Sequence, residues 1–160
     1  MSKSGSEAYE GLRTVALHVT PDDIGLKADP AQVVPYGVLM EMGREKAVVT
    51  LVSFISGDAS LYFSTGGGII GGVGHENVRT AASAFVRGSA QFIERMVPTD
   101  SFPTPPTGMT RFYVLTTKGI RTVEFRDDDL SNQRSDFTPL YVKGHEVIGQ
   151  LRILMERRNE

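Results

Sequence analysis

Cysteine is absent from this chain of 160 residues. Its absence excludes disulfides, thiolate zinc sites and cysteine nucleophiles, and it leaves the compartment open, because extracellular proteins can also lack the residue. An excess of one charge is missing too. Seventeen Lys and Arg against 19 Asp and Glu give a formal net charge of −2, which is neither a nucleic-acid footprint nor an acidic tail. The longest apolar run, Val48 to Ile55, falls far short of the roughly 20 residues a membrane-spanning helix needs. No apolar core of a secretory signal follows Met1-Ser2-Lys3-Ser4-Gly5-Ser6, so the N-terminus reads as a loose end. The expectation is a soluble, cytoplasmic protein with no nucleic-acid and no membrane partner, disordered over residues 1–8 and forming a single domain over residues 9–160.

Enough remains to build one core. A domain of this size buries roughly two-thirds of the surface its unfolded chain exposes, and a content of 40% hydrophobic and 22% charged residues is that of a globular protein. Residues 7–19 suit two periods. Tyr9, Leu12, Ala16 and Val19 fit a helix, whereas Val15, Leu17 and Val19 fit a strand, and a strand from Arg13 to Val19 is preferred. Thr20-Pro21-Asp22-Asp23 reads as the capped start of a short helix ending by about Lys27.

Three strand-like runs follow, Tyr36 to Met42, Ala47 to Ile55 and Ala59 to Ser64. Their turns are short enough for antiparallel hairpins. The first run places Tyr36, Val38, Met40 and Met42 on one face. The second is apolar on both faces, as a covered central strand is. Val78, Ala82, Phe85, Ser89, Phe92 and Met96 recur at helical spacing and predict a helix from Glu76 to Met96 rich in small residues, among them Ala81 and Gly88. Pro98 to Gly108 reads as a loop, and Arg111 to Thr117 with Ile120 to Arg126 as a hairpin turning at Lys118-Gly119. Arg126 to Asp136 is a second loop. A last helix starts at Thr138-Pro139 or at Gly144-His145, with Val147, Ile148, Leu151, Leu154 and Met155 as its apolar stripe.

The order is βββ-α-ββ-α after a short N-terminal unit, which predicts an α+β fold: an antiparallel sheet of five or six strands with two long helices packed on it. In arrangement, though in no motif, it is similar to profilin-like and roadblock-like domains.

The stretch Ser64-Thr65-Gly66-Gly67-Gly68-Ile69-Ile70-Gly71-Gly72-Val73-Gly74-His75-Glu76 raises the question of a ligand. It contains G-x-G-x-x-G, but within a hairpin meander, with the helix several residues late and Glu94 in place of a ribose-binding acid. A Walker loop would need Lys after the last glycine. What survives is an anion site at the head of the following helix. Its candidate ligand residues are Gly66, Gly67, Gly68, Gly71, Gly72, Gly74, His75 and Arg79, and Glu76 opposes it. Ile69 and Ile70 are too apolar for a plain linker, and with Ala81 and Gly88 they are candidate interface residues.

Gly-His-Glu occurs twice, at Gly74-His75-Glu76 and Gly144-His145-Glu146. Glycine at a segment end and glutamate in a first helical turn account for both. A joint metal site with His18 as third ligand is the sharper alternative. Asp127-Asp128-Asp129 does not continue as a calcium loop, Pro103-Thr104-Pro105-Pro106 lies between core elements, and Tyr62, Phe63, Phe112 and Tyr113 read as sheet packing. H-E-x-x-H, G-x-S-x-G and the zinc-deaminase pattern are missing, so no catalytic residue, metal or cofactor is assigned. The sequence favours a non-enzymatic protein-interaction or regulatory domain acting as a homodimer. Next comes a binding protein or enzyme that holds a nucleotide or phosphate ester on the Gly66–Gly74 loop and His75.

Overall fold

The computed structural model describes residues 5–71 and 74–158. In chain order its elements are α1 (Gly5–Leu17), β1 (Pro35–Gly43), β2 (Val48–Phe54), β3 (Ala59–Phe63), β4 (Gly68–Gly71), α2 (Glu76–Gly88), β5 (Val97–Thr99), β6 (Met109–Thr116), β7 (Gly119–Arg126), α3 (Asp127–Ser131) and α4 (Thr138–Arg158). The strands form one sheet in the order β4-β3-β2-β1-β6-β7-β5, and every pairing is antiparallel. The fold is α+β, and no helix among the described residues is long and apolar enough to cross a membrane.

Strand β1 is buried along its whole length. Its side chains alternate between two cores. Val38, Met40 and Met42 join Phe85 and Val86 of α2 and Val147 and Leu151 of α4 on one face. Leu39 packs with Val52, Tyr113 and Leu115 and with Ala16 and Leu17 of α1 on the other. The covered centre is therefore β1 rather than the Ala47–Ile55 run, because β6 returns from far along the chain to flank β1 on its second edge. Tyr36 does not share a face with Val38. A register shift between Pro35 and Gly37 inserts one residue and reverses the alternation, so Tyr36 faces the α1 side and its hydroxyl donates to Val19 O at 2.7 Å.

Other expectations give way for local reasons. The sheet has seven strands rather than five or six, because β4 and β5 lie in the stretches read as glycine and proline loops. Both are short edge strands, where Pro98 is tolerated and pattern is thin. Arg13 to Leu17 is helical, not a strand: Tyr9, Ala16 and Leu17 are its buried residues, one face of a helix that takes in Gly5 to Ala8 as well. Helix α2 stops at Gly88 and continues to Arg95 as two 3-10 turns. Asp127-Asp128-Asp129 fills the first turn of α3, where the helix dipole favours carboxylates. Thr20 and Asp23 exchange backbone-to-side-chain hydrogen bonds, yet the helix they cap is one 3-10 turn closed by Gly25.

A buried carboxylate docks α1. Glu41, fully buried in the middle of β1, accepts from Arg13 Nε and Nη2 at 2.7 Å each and from Thr50 Oγ1 at 2.7 Å. Because Thr50 gives its one proton to Glu41, Tyr9 donates to Thr50 at 2.7 Å. Burial, with the Glu41 charge, pushes the Tyr9 hydroxyl up to about 12, so it stays a donor. Arg13 also donates to Phe102 O and lies over the Tyr113 ring. Removing one partner of such a pair costs about 3–5 kcal/mol, whereas replacing both by apolar groups is often neutral. Glu41→Ala is expected to destabilise by that amount in urea unfolding, and the double variant Glu41→Leu with Arg13→Met by far less. Equal losses in the two would show that the pair does not anchor α1.

Candidate functional site

Helix α4 runs along the sheet at β1 to β4, and its approach is set by Gly144. A Cβ there would lie 2.6 Å from Met40 Sδ and 3.2 Å from Phe85 Cζ, so a larger residue would have to displace the buried Met40 side chain for the helix to settle as closely on the core. The helix starts at Thr138, the earlier of the two possible starts, and this places Gly144-His145-Glu146 inside it rather than at its head.

Beyond Gly144 the helix and sheet leave a cleft of about 680 Å³. Leu61, Phe63, Ile69 and Ile148 form much of its apolar wall, and Met155 stands in it with Arg44, Arg152 and Glu156. The volume lies within the roughly 300–1,000 Å³ typical of small-molecule sites, which are mostly apolar with a few placed polar groups. His145 lines it, stacked edge-on against Tyr141 at 4.4 Å between ring centroids. Its Nε2 is buried with no hydrogen-bond partner among the described residues. Arg44 is held by Asp127 Oδ2 at 2.7 Å and by its neighbour Gly43 O at 3.1 Å. Burial, then the positive charges of Arg44 and Arg152, push the His145 pKa below its ordinary value, against an opposing pull from Asp127.

The glycine run is divided between a turn, the cleft wall and the core. Gly66 and Gly67, with φ of +114° and +82°, make the turn between β3 and β4, a backbone region open to glycine. Gly67 and Gly68 then line the cleft. Gly71 lies beneath Leu151 and Val78. Gly74 is exposed, and His75 is the exposed N-cap of α2 with no side-chain cap bond. Arg79 packs against Gly57 and lines a separate shallow depression with Ser56, Ser83 and Arg87. Gly72 lies outside the described residues. Of the candidate ligand residues among the described residues, the cleft gathers Gly67 and Gly68.

Of the interface candidates, Ile69 is buried in the helix-side core and Ala81 packs against it, Gly88 lies under the Lys143 stem, and Ile70 is 62% exposed. His18 bonds Thr14 O at the end of α1. Among the described residues no group of three His, Asp or Glu side chains is placed to hold a metal ion.

Sequence reasoning weighed His145 as half of a pair that could bind a metal or perform acid-base chemistry, and it passed over Arg44. The signal for His145 was its place one residue after a glycine and three before Ile148 on the helix stripe. Arg44 carried none, since turn arginines are ordinary.

Comparison of the chain with protein-family models, curated proteins and solved structures finds no match in any of the three. The likeness in element order to profilin-like and roadblock-like domains therefore brings no function with it.

A depressed histidine pKa means that the unfolded chain binds the proton more tightly. Stability contributed by neutral His145 is complete above the unfolded value of about 6.5, and falls as pH drops from there through the folded pKa. His145→Leu is expected to remove this loss and, by deleting a buried nitrogen without a partner, to raise stability by about 1 kcal/mol. Urea midpoints on either side of that pH check both effects. A variant with the parent's pH slope would show that His145 stays ionisable at no cost.

Proposed function

We propose that this is a non-enzymatic binding domain that holds a small amphipathic molecule in the cleft between α4 and the β3–β4 hairpin. One observation carries the reading: His145, whose buried Nε2 has no hydrogen-bond partner among the described residues, stands with Arg44, Arg152 and Glu156 at a largely apolar cleft of ligand size. A polar group so placed lowers stability, and proteins keep such groups where function needs them. The cleft reverses the order that the sequence alone favours, bringing small-molecule binding ahead of protein interaction. It also moves the site from His75 to His145. Catalysis has less support, since among the described residues no nucleophile or second acid-base group hydrogen-bonds to His145 Nε2.

Ligand at about a hundred times its dissociation constant stabilises by about 2.7 kcal/mol, which raises Tm by about 5–10 °C in a domain of this size. Thermal-shift screening against apolar acids, alcohols and sterol-like molecules is expected to find such a rise. Met155→Trp, at a position 46% exposed on the cleft wall, should abolish it by filling the cleft. No stabilisation by any of these at saturation counts against the reading.

The homodimer remains a second reading, favoured by β4. This strand is the sheet edge, and Ile70 on it shares a shallow depression with Leu12, 43% exposed. Open apolar edges pair readily with a second copy. Ile70→Lys is expected to convert dimer to monomer in light scattering. A parent chain that is monomeric across a wide concentration range would remove this reading.

A further inference from the structure

We propose that the molecule held in the cleft is a monoanionic amphiphile: a carboxylate whose alkyl or aryl body lies against Leu61, Phe63 and Ile148, and whose head is bound by His145, Arg152 and Arg44. This rests on the binding reading above and names the class of ligand. The apolar wall supplies the burial that an alkyl or aryl body needs. The polar groups set the head. The His145 imidazole can donate one ring N–H, and the two guanidiniums that line the cleft with it disfavour a cationic head there.

Charge count then selects one negative charge over two. Arg44 already shares its charge with Asp127, and the Glu156 carboxylate lines the same cleft as Arg152. A dianionic phosphate would meet the Glu156 carboxylate in a lining where, among the described residues, Arg152 is the one guanidinium without an ion-pair partner. A carboxylate matches that cation and can accept a hydrogen bond from the His145 ring N–H. Its charge also opposes the field that now holds His145 neutral, so binding draws a proton onto the ring as pH falls through the imidazole range.

The test is an NMR titration of the full chain with decanoate and, separately, decanol, following the amides of Leu61, Ile69 and Met155 and the His145 ring. Decanoate is expected to bind more tightly than decanol and to raise the His145 pKa, which decanol leaves unchanged. Arg152→Gln, an exposed position, is expected to weaken decanoate by about threefold to tenfold, the range for losing one partly exposed charge partner, without affecting decanol. Equal affinities for the two probes, both unmoved by Arg152→Gln, would overturn the acid-head assignment while the cleft remained a binding site. If neither probe shifts the three amides at saturation, the binding reading itself falls and takes this one with it.

Discussion

Strand β1 has no face open to water, and a carboxylate sits in its middle. Each face must be covered by something built elsewhere in the chain, and the α1 face must also bring a cation to Glu41. The two demands are met together. Tyr9 and Arg13 lie one helical turn apart on α1, so docking that helix buries Ala16 and Leu17 against Leu39 and satisfies Glu41 through Arg13 and Thr50. The low dielectric that strengthens this network also makes any half of it costly. One position of α1 is therefore strongly preferred, and that face of the sheet is closed.

The opposite face is covered differently, and the cleft follows from the difference. Helices α2 and α4 pack side by side over Met40, and Gly144 lets α4 come close to Met40 and to Phe85 of α2. Further along α4 the facing residues come from β3, β4 and their glycine turn, short elements at the edge of the sheet. Ile69 and Leu61 fill part of that space and leave the rest open. His145, one residue past the close contact, is carried to the wall of this opening by the helix. Its ring is desolvated by the same packing that fixes α4, and Arg44 and Arg152 keep it neutral.

Much of the secondary structure was legible because long periodic segments carry strong signals. The stripe of α4, the β6–β7 hairpin and the β1–β3 meander could all be read from spacing and turn residues. Failures fell where the signal was short or shared between two periods. Residues 9–17 satisfy both a helix and a strand pattern, and what decides is the carboxylate of Glu41 waiting across the sheet for Arg13. Strand β4 has two glycines among its four residues, and glycine weakens every strand scale while leaving the backbone free to pair. The site was legible only in fragments. Gly67 and Gly68 were singled out as candidate anion ligands and lie in the cleft wall, His145 was weighed for a metal or for acid-base chemistry, and Arg44 sits in a hairpin turn that nothing local marks as a site.

By itself the sequence determined an α+β domain built from antiparallel hairpins, since hydrophobic period and turn chemistry are properties of neighbouring residues. Which strand lies at the centre, which way Tyr36 faces, and that α1 covers the second face were decided by tertiary structure, because each depends on a partner tens of residues away. The cleft belongs to the same class. It is a space left between α4 and the β3–β4 hairpin, and a space has no residues of its own for a sequence to display.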